Sequence, residues 1–222
     1  ESFNRQALYG QRFFLKHFGR IARVVQDAVD ECDLTMKQVR GVGVGAPGAV
    51  DTESGRVIFA PNLGWENVPL KKELEKQLEV PVFAENDCNM AMLGVYEQEL
   101  HGKPDHAIGI FVGTGIGGGL VRKNKLWCGY RQQAGEIGHM TIQLGGPKCA
   151  CGNLGCLEAL ASRSAIERQI REAVAAGRKT VLTELLGKRL TIIRSGALRE
   201  ALARHDRLVT RVLSDAAEVL GA

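Results

Sequence analysis

No stretch of this chain is long and apolar enough to cross a membrane; the best candidate, Ala107 to Val121, is short and broken by glycines. Residues 1–20 are polar and basic, without the charged-then-apolar order of a secretory leader. Basic residues are not gathered into a stripe. Pairs such as Lys71-Lys72 and Arg122-Lys123 alternate with acids and apolar residues, and the net charge is a modest +4. That pattern argues against a nucleic-acid binder and leaves room for an anionic small substrate. Long repeats and low-complexity tracts are missing too. What is present, 222 residues with 45% hydrophobic and 24% charged, is an ordinary globular composition sufficient for one large domain or two small ones.

Phe14, Phe18, Ile21, Val25 and Ala28 recur at steps of four and three, the spacing of one helical face. Val39 to Gly45 reads as a buried strand running into a Pro47-Gly48 turn, and Leu70, Leu74 and Leu78 mark a second helix. Val80 to Ala84 is a short strand that delivers Glu85-Asn86-Asp87 at its carboxyl end, followed by a helix over 88–100. This alternation is that of an α/β layer. Gly102-Lys103-Pro104 breaks the pattern and divides the chain into 1–104 and 105–222, after which a strand at 106–112 restarts it. The last fifty residues read as helices, with Ser164 and Ser195 as N-caps.

The strand at 106–112 leads into Gly113-Thr114-Gly115-Ile116-Gly117-Gly118, which satisfies the G-x-G-x-x-G spacing of a dinucleotide loop. Such a loop must open a helix. Here the chain returns as a strand, with a hairpin tip at Lys123-Asn124. A glycine turn between two strands holds phosphate through backbone N–H groups, with the Thr114 hydroxyl beside them, or it holds nothing. The loop alone leaves both readings open.

Cys149, Cys151 and Cys156 follow His139 by ten residues and more. Thiols this close in a chain without secretory features favour a metal over a disulfide framework. Three sulfurs and one imidazole complete a closed tetrahedral structural zinc site. Cys32, Cys88 and Cys128 read as isolated small core residues. Asp87 stands at a strand end, where α/β proteins bind ligands, beside Asn86, whose amide both donates and accepts. Glu136 precedes His139 by three residues and Glu158 follows Cys156 by two, so a metal there would hold a cluster of acids suited to a polyol. Taken singly, each acid is equally a surface carboxylate or a helix cap.

Six segments together resemble the ROK family of repressors and sugar kinases: G-V-G-A-P-G-A-V-D (43–51), P-N-L-G-W (61–65), E-N-D-C-N (85–89), G-T-G-I-G-G-G (113–119), A-G-E-I-G-H (134–139) and C-A-C-G-N-L-G-C-L-E (149–158). The resemblance covers most of 36–165. It implies an actin-like (ribonuclease H-like) two-lobe ATPase fold, with 1–104 in the smaller amino-terminal lobe and 105–222 in the larger carboxyl-terminal lobe, and a sugar cleft between the lobes. It implies Asp87 as general base and Asn86, Glu136, His139, Glu158, Asn62 and Gly48 as sugar contacts. Gly113, Thr114 and Gly115 would meet ATP phosphates, and His139, Cys149, Cys151 and Cys156 would hold structural zinc. Magnesium would arrive with the nucleotide.

The family's D-x-G-G-T opening loop and its later adenosine-binding segment have no match here, so the resemblance implies further sequence on both sides. The expected activity is phosphorylation of a hexose, glucose first, by a cytoplasmic enzyme of carbohydrate metabolism that forms dimers or tetramers. The competing expectation is a sugar-responsive repressor of the same family whose DNA-binding part lies elsewhere.

Overall fold

The computed structural model describes residues 17–221. Phe14, the first member of the apolar stripe, lies outside them; the rest of that stripe falls on helix α1, residues 17–30. Strands β1 (Val42–Ala46), β2 (Ala49–Asp51), β3 (Arg56–Ala60) and β4 (Trp65–Val68) follow. Then come helix α2 (Leu70–Leu78), strand β5 (Val82–Asn86) and helix α3 (Asp87–Gln98). Strands β6 (His106–Val112), β7 (Ile116–Arg122) and β8 (Lys125–Leu126) lead to helices α4 (Leu157–Ala161), α5 (Arg163–Ala175), α6 (Leu182–Leu186), α7 (Ser195–Ala203) and α8 (Arg207–Gly221).

The described chain forms two compact units, 17–107 with 119–134 and 108–118 with 135–221. In the first, β1 and β5 pair in parallel from Val42↔Val82 to Ala46↔Asn86. The leucines of α2 at four-residue intervals are all buried, because Cβ atoms four apart share one helical face. They pack with Val82, Ala84, Phe18 and Ala22 in a single core. Helix α2 stops at Glu79, in the left-handed region at φ 56°, and its N–H closes on the Glu75 carbonyl at 2.9 Å. Strands β2, β3 and β4 form a separate antiparallel meander. Its buried face of Val50, Val57, Ala60, Trp65 and Val68 closes the same core, and the Trp65 ring lies 5.9 Å from that of Phe18. The Lys123-Asn124 hairpin is present, with both residues at positive φ (51° and 60°), the backbone of a tight two-residue turn. The 102–104 segment is pinned rather than loose: the Tyr96 hydroxyl lies 2.9 Å from the Gly102 carbonyl and 2.8 Å from that of Pro104.

In the second unit Ile116, Leu157, Ala161 and Ala216 form one apolar cluster. Ile170, Leu182, Leu190, Ile193, Ala201, Val209 and Val212 form another. Neither expected serine cap is used as such. Ser162 caps α5, its hydroxyl accepting from the Ala165 N–H at 3.1 Å, and Ser195 is the first residue of α7, after Arg194. Ser162 is available because α4 ends there in extended backbone (ψ 163°), the conformation an N-cap requires.

Asp206 caps α8 and does more. Its carboxylate is buried and accepts from the Thr180 hydroxyl (2.6 Å) and from the N–H groups of Val181 (2.6 Å), Leu208 (2.9 Å) and Val209 (3.0 Å). Burial works against the charged form, but these hydrogen bonds outweigh it and hold the group below its ordinary value. The folded pKa is therefore below the unfolded one. The contribution is complete above the unfolded carboxylate range and is lost as pH falls through the folded value, below about 4. Asp206→Ala is expected to cost about 2–4 kcal/mol at neutral pH. In urea unfolding, the gap between wild type and variant should narrow steadily as pH is lowered towards 3.

Candidate active site and metal centre

In the first unit, Asp87 sits on the surface at the carboxyl end of β5, as the first residue of α3. One of its oxygens, Oδ1, accepts from the Cys88 N–H at 2.9 Å. Asn86 is heavily used by the protein itself. Its Oδ1 accepts from the N–H groups of Cys88 (2.9 Å) and Asn89 (3.1 Å), and its Nδ2 donates to the Gly48 carbonyl at 2.9 Å. Both acceptor positions of the amide are thus filled and one N–H hydrogen remains. Glu85 supports this corner from behind, its Oε1 accepting from the Asn86 N–H (2.7 Å) and from Asn89 Nδ2 (3.0 Å). Gly48 enters the arrangement through its carbonyl, and Asn62 lies exposed in the short 3₁₀ turn Pro61–Leu63.

The same corner contains a residue that reads from sequence as an ordinary small core thiol. Cys128, half-buried, receives a hydrogen bond from Asn89 Nδ2 at 3.6 Å and points its thiol at Glu85 Oε2, 3.8 Å away. Burial, then the Glu85 charge, pushes that thiol up to about 11. Nothing local in the sequence signals this contact, which spans 43 residues.

In the second unit the glycine turn is anchored on both polar edges. The carbonyls of Gly113 and Thr114 accept from the N–H groups of Arg163 (3.0 Å) and Ser164 (3.3 Å), at the start of α5. The Ile116 N–H donates to Glu158 Oε2 at 2.9 Å. Among the described residues, the N–H groups of Thr114 and Gly115 have no hydrogen-bond partner. The surroundings explain two of the glycines. A Cβ on Gly115 would lie 2.2 Å from Glu158 Oε2, and one on Gly138 would lie 1.9 Å from the Ile116 carbonyl. The Ile116 backbone therefore excludes a side chain at Gly138, whereas one at Gly115 would have to push the Glu158 carboxylate aside.

Glu136 precedes the 3₁₀ turn Ile137–His139, and its Oε2 is 3.8 Å from His139 Nε2. The other imidazole nitrogen, Nδ1, lies 3.6 Å from Cys149 Sγ, and Cys151 Sγ lies 3.7 Å from Cys156 Sγ. All four ligand atoms fall within 4.8 Å of one another. Tetrahedral zinc–sulfur bonds of about 2.3 Å would place neighbouring ligands about 3.8 Å apart, so these separations fit the ligand edges of such a site. The backbone draws the set together: Cys156 bridges Thr141, Lys148 bridges Leu154, and the Cys149 N–H donates to Asn153 at 2.8 Å. Burial first, then the neighbouring thiols, pushes Cys156 up to about 12, and burial raises Cys149 as well. Cys151 is lowered, chiefly by the Asn153 N–H. A metal must therefore displace protons from the two buried thiols as it binds.

The parallel strand that delivers an acid to a helix start, the anchored glycine turn and the Cys3His cluster sit in a chain of α/β, actin-like ATPase fold. More narrowly, the chain belongs to the ROK family, whose pattern matches residues 18–221. It is 42% identical over 147 residues to a glucokinase of Thermotoga maritima, covering 66% of this chain and 46% of the relative. It is 39% identical over 154 residues to a xylose repressor of Caldicellulosiruptor bescii, covering 69% and 39%. The crystal structure of a ROK family glucokinase from Streptomyces griseus in complex with glucose and AMPPNP matches with a TM-score of 0.73 and 35% identity, over 83% of this chain and 60% of that one. The chain thus spans less than half the length of either curated relative, and its kin include both a kinase and a repressor. Among the described residues no helix is long and apolar enough to cross a membrane.

Proposed function

We propose that this chain is part of an ATP-dependent hexose kinase, acting first on glucose, with Asp87 as the general base. The observation that carries the reading is a pair of prepared groups: an exposed carboxylate fixed at a strand end, and a glycine turn with two N–H groups that have no partner among the described residues. Phosphoryl transfer asks a protein for little else than positioning and charge stabilisation. The sugar hydroxymethyl oxygen attacks the γ-phosphorus as its proton passes to Asp87, and the bond to the ADP oxygen breaks. The free N–H groups of Thr114 and Gly115 stabilise the charge gathering on the phosphate oxygens. Magnesium would come with the nucleotide and would neutralise phosphate charge.

Glu136, His139 and the remaining oxygen of Glu158 would take sugar hydroxyls, and Asn86 would give its one spare hydrogen. Asn62 and Gly48 complete the proposed sugar contacts. Zinc in the Cys3His knot would lock the His139 ring through Nδ1 and leave the Nε2 hydrogen for a substrate hydroxyl. The kinship with the Thermotoga glucokinase and the glucose-bound Streptomyces structure supports the hexose assignment.

The xylose repressor kinship supports a second reading, in which the same groups bind an inducer without catalysis. ADP release measured on the full-length protein across a panel of hexoses and xylose separates the two. Sugar-dependent ADP production supports the kinase. Sugar binding with no ADP release from any sugar would sink the kinase reading and leave the repressor.

A further inference from the structure

The glycine turn and the carboxyl end of the knot are joined by a contact that the sugar assignment of Glu158 does not require. Glu158 is the second residue of α4, and α4 passes through Ser162 directly into α5. One continuous helical corner therefore supplies every protein partner of the turn's outer polar groups: Glu158 for the Ile116 N–H, and the Arg163 and Ser164 N–H groups for the two carbonyls. With its carbonyls held in this way, the turn keeps the Thr114 and Gly115 N–H groups, unpartnered among the described residues, for a ligand. A side chain on Gly115 would have to push the Glu158 carboxylate out of this contact.

We infer that Glu158 is a positioning residue for the nucleotide: its Oε2 fixes the glycine turn so that the Thr114 and Gly115 N–H groups meet a phosphate. The inference rests on the kinase reading above. It assigns the two oxygens of one carboxylate different duties, Oε2 to the turn and Oε1 to the sugar. The charge itself is not what the turn needs. A carboxylate beside a phosphate site repels the nucleotide, whereas the acceptor oxygen is what orders the backbone. An amide oxygen in the same place satisfies the Ile116 N–H equally well.

The test is calorimetric titration of the full-length protein with Mg–AMPPNP in the absence of sugar, for wild type, Glu158→Gln, Glu158→Ala and Gly115→Ala. Loss of a hydrogen bond to a charged acceptor predicts a nucleotide Kd weakened about tenfold or more in Glu158→Ala. In Glu158→Gln the Kd is expected to stay within about threefold of wild type, or to tighten, because the acceptor stays and the repulsion goes. Gly115→Ala, with its carboxylate intact but displaced, should weaken binding like Glu158→Ala. Amide exchange at Ile116 should accelerate in Glu158→Ala and not in Glu158→Gln, a readout that needs neither sugar nor turnover. Wild-type nucleotide affinity in Glu158→Ala would overturn the positioning role while leaving the kinase reading intact. Equal losses in Glu158→Ala and Glu158→Gln would overturn it as well, since the charge and not the acceptor would then matter. Wild type failing to bind Mg–AMPPNP would remove both the kinase reading and this inference.

Discussion

Asp87→Asn in the full-length protein is expected to slow hexose phosphorylation by about 10²–10⁴-fold while sugar affinity changes little. The asparagine keeps the acceptor for the Cys88 N–H, the contact that Asp87 Oδ1 makes now, so the start of α3 should stay as it is. What disappears is the ability to take a proton at the remaining oxygen. Asp87→Ala should give a similar loss of turnover with a small additional loss of stability. The comparison that matters is turnover against sugar binding measured by titration. Near-normal turnover in either variant would remove Asp87 from the chemistry. Loss of sugar binding equal to the loss of turnover would make it a binding residue instead.

The second large effect concerns the Cys3His knot. The purified full-length protein is expected to carry one zinc per chain, detectable by elemental analysis. Stripping it should cost a large part of the roughly 10 kcal/mol scale of structural zinc binding. Regular structure in residues 136–158 is sparse: among the described residues the segment contains one 3₁₀ turn, two isolated bridges, a set of backbone hydrogen bonds and, at its end, the start of α4 with buried Leu157 and the Glu158–Ile116 contact. Amide exchange over that segment should therefore rise steeply on metal removal, with sugar affinity falling alongside it. Cys156→Ser and Cys149→Ser should mimic removal, since both thiols are buried. Cys151, exposed, should be the more forgiving position. Readdition of zinc to stripped protein should release protons, because the buried thiols are protonated without it. Verified metal loss with unchanged exchange and unchanged sugar binding would count against the coupling.

How far the sequence carried this reading varies along the chain in an instructive way. Helix α2 was legible because its leucines recur every four residues, strands β5 and β6 because each is a short apolar run, and the Lys123-Asn124 tip because Asn124 tolerates positive φ. The β2–β4 meander was not. Its strands are three to five residues long, too short for alternation to stand out, and residues 49–68 stood out as motifs rather than as structure. The cap at Ser162 was missed in favour of Ser164 because both serines precede the same apolar pattern. The choice depends on where α4 straightens, which no local signal reveals.

The candidate site divides along the same line. Cys149, Cys151, Cys156 and His139 lie close in sequence, and the structure brings their ligand atoms together. The contacts that arrange the rest are long-range: Glu158 to Ile116 across 42 residues, Asn86 to Gly48 across 38, Cys128 to Glu85 across 43. Spacing can propose that an acid belongs to a site, but which of its oxygens is already committed is a property of the fold.

The Asp206 clamp sets a practical limit on dissecting the molecule. Because one carboxylate serves both the Thr180–Val181 turn and the start of α8, those two places behave as a single fastening. Ala216, farther along α8, also belongs to the cluster that seats Ile116 beside the glycine turn. Trimming the polypeptide anywhere between Ala203 and Ala216 would leave the Thr180 hydroxyl or the Ile116 cluster open, so a minimal version of the second unit has to keep α8 even when only the metal knot is wanted.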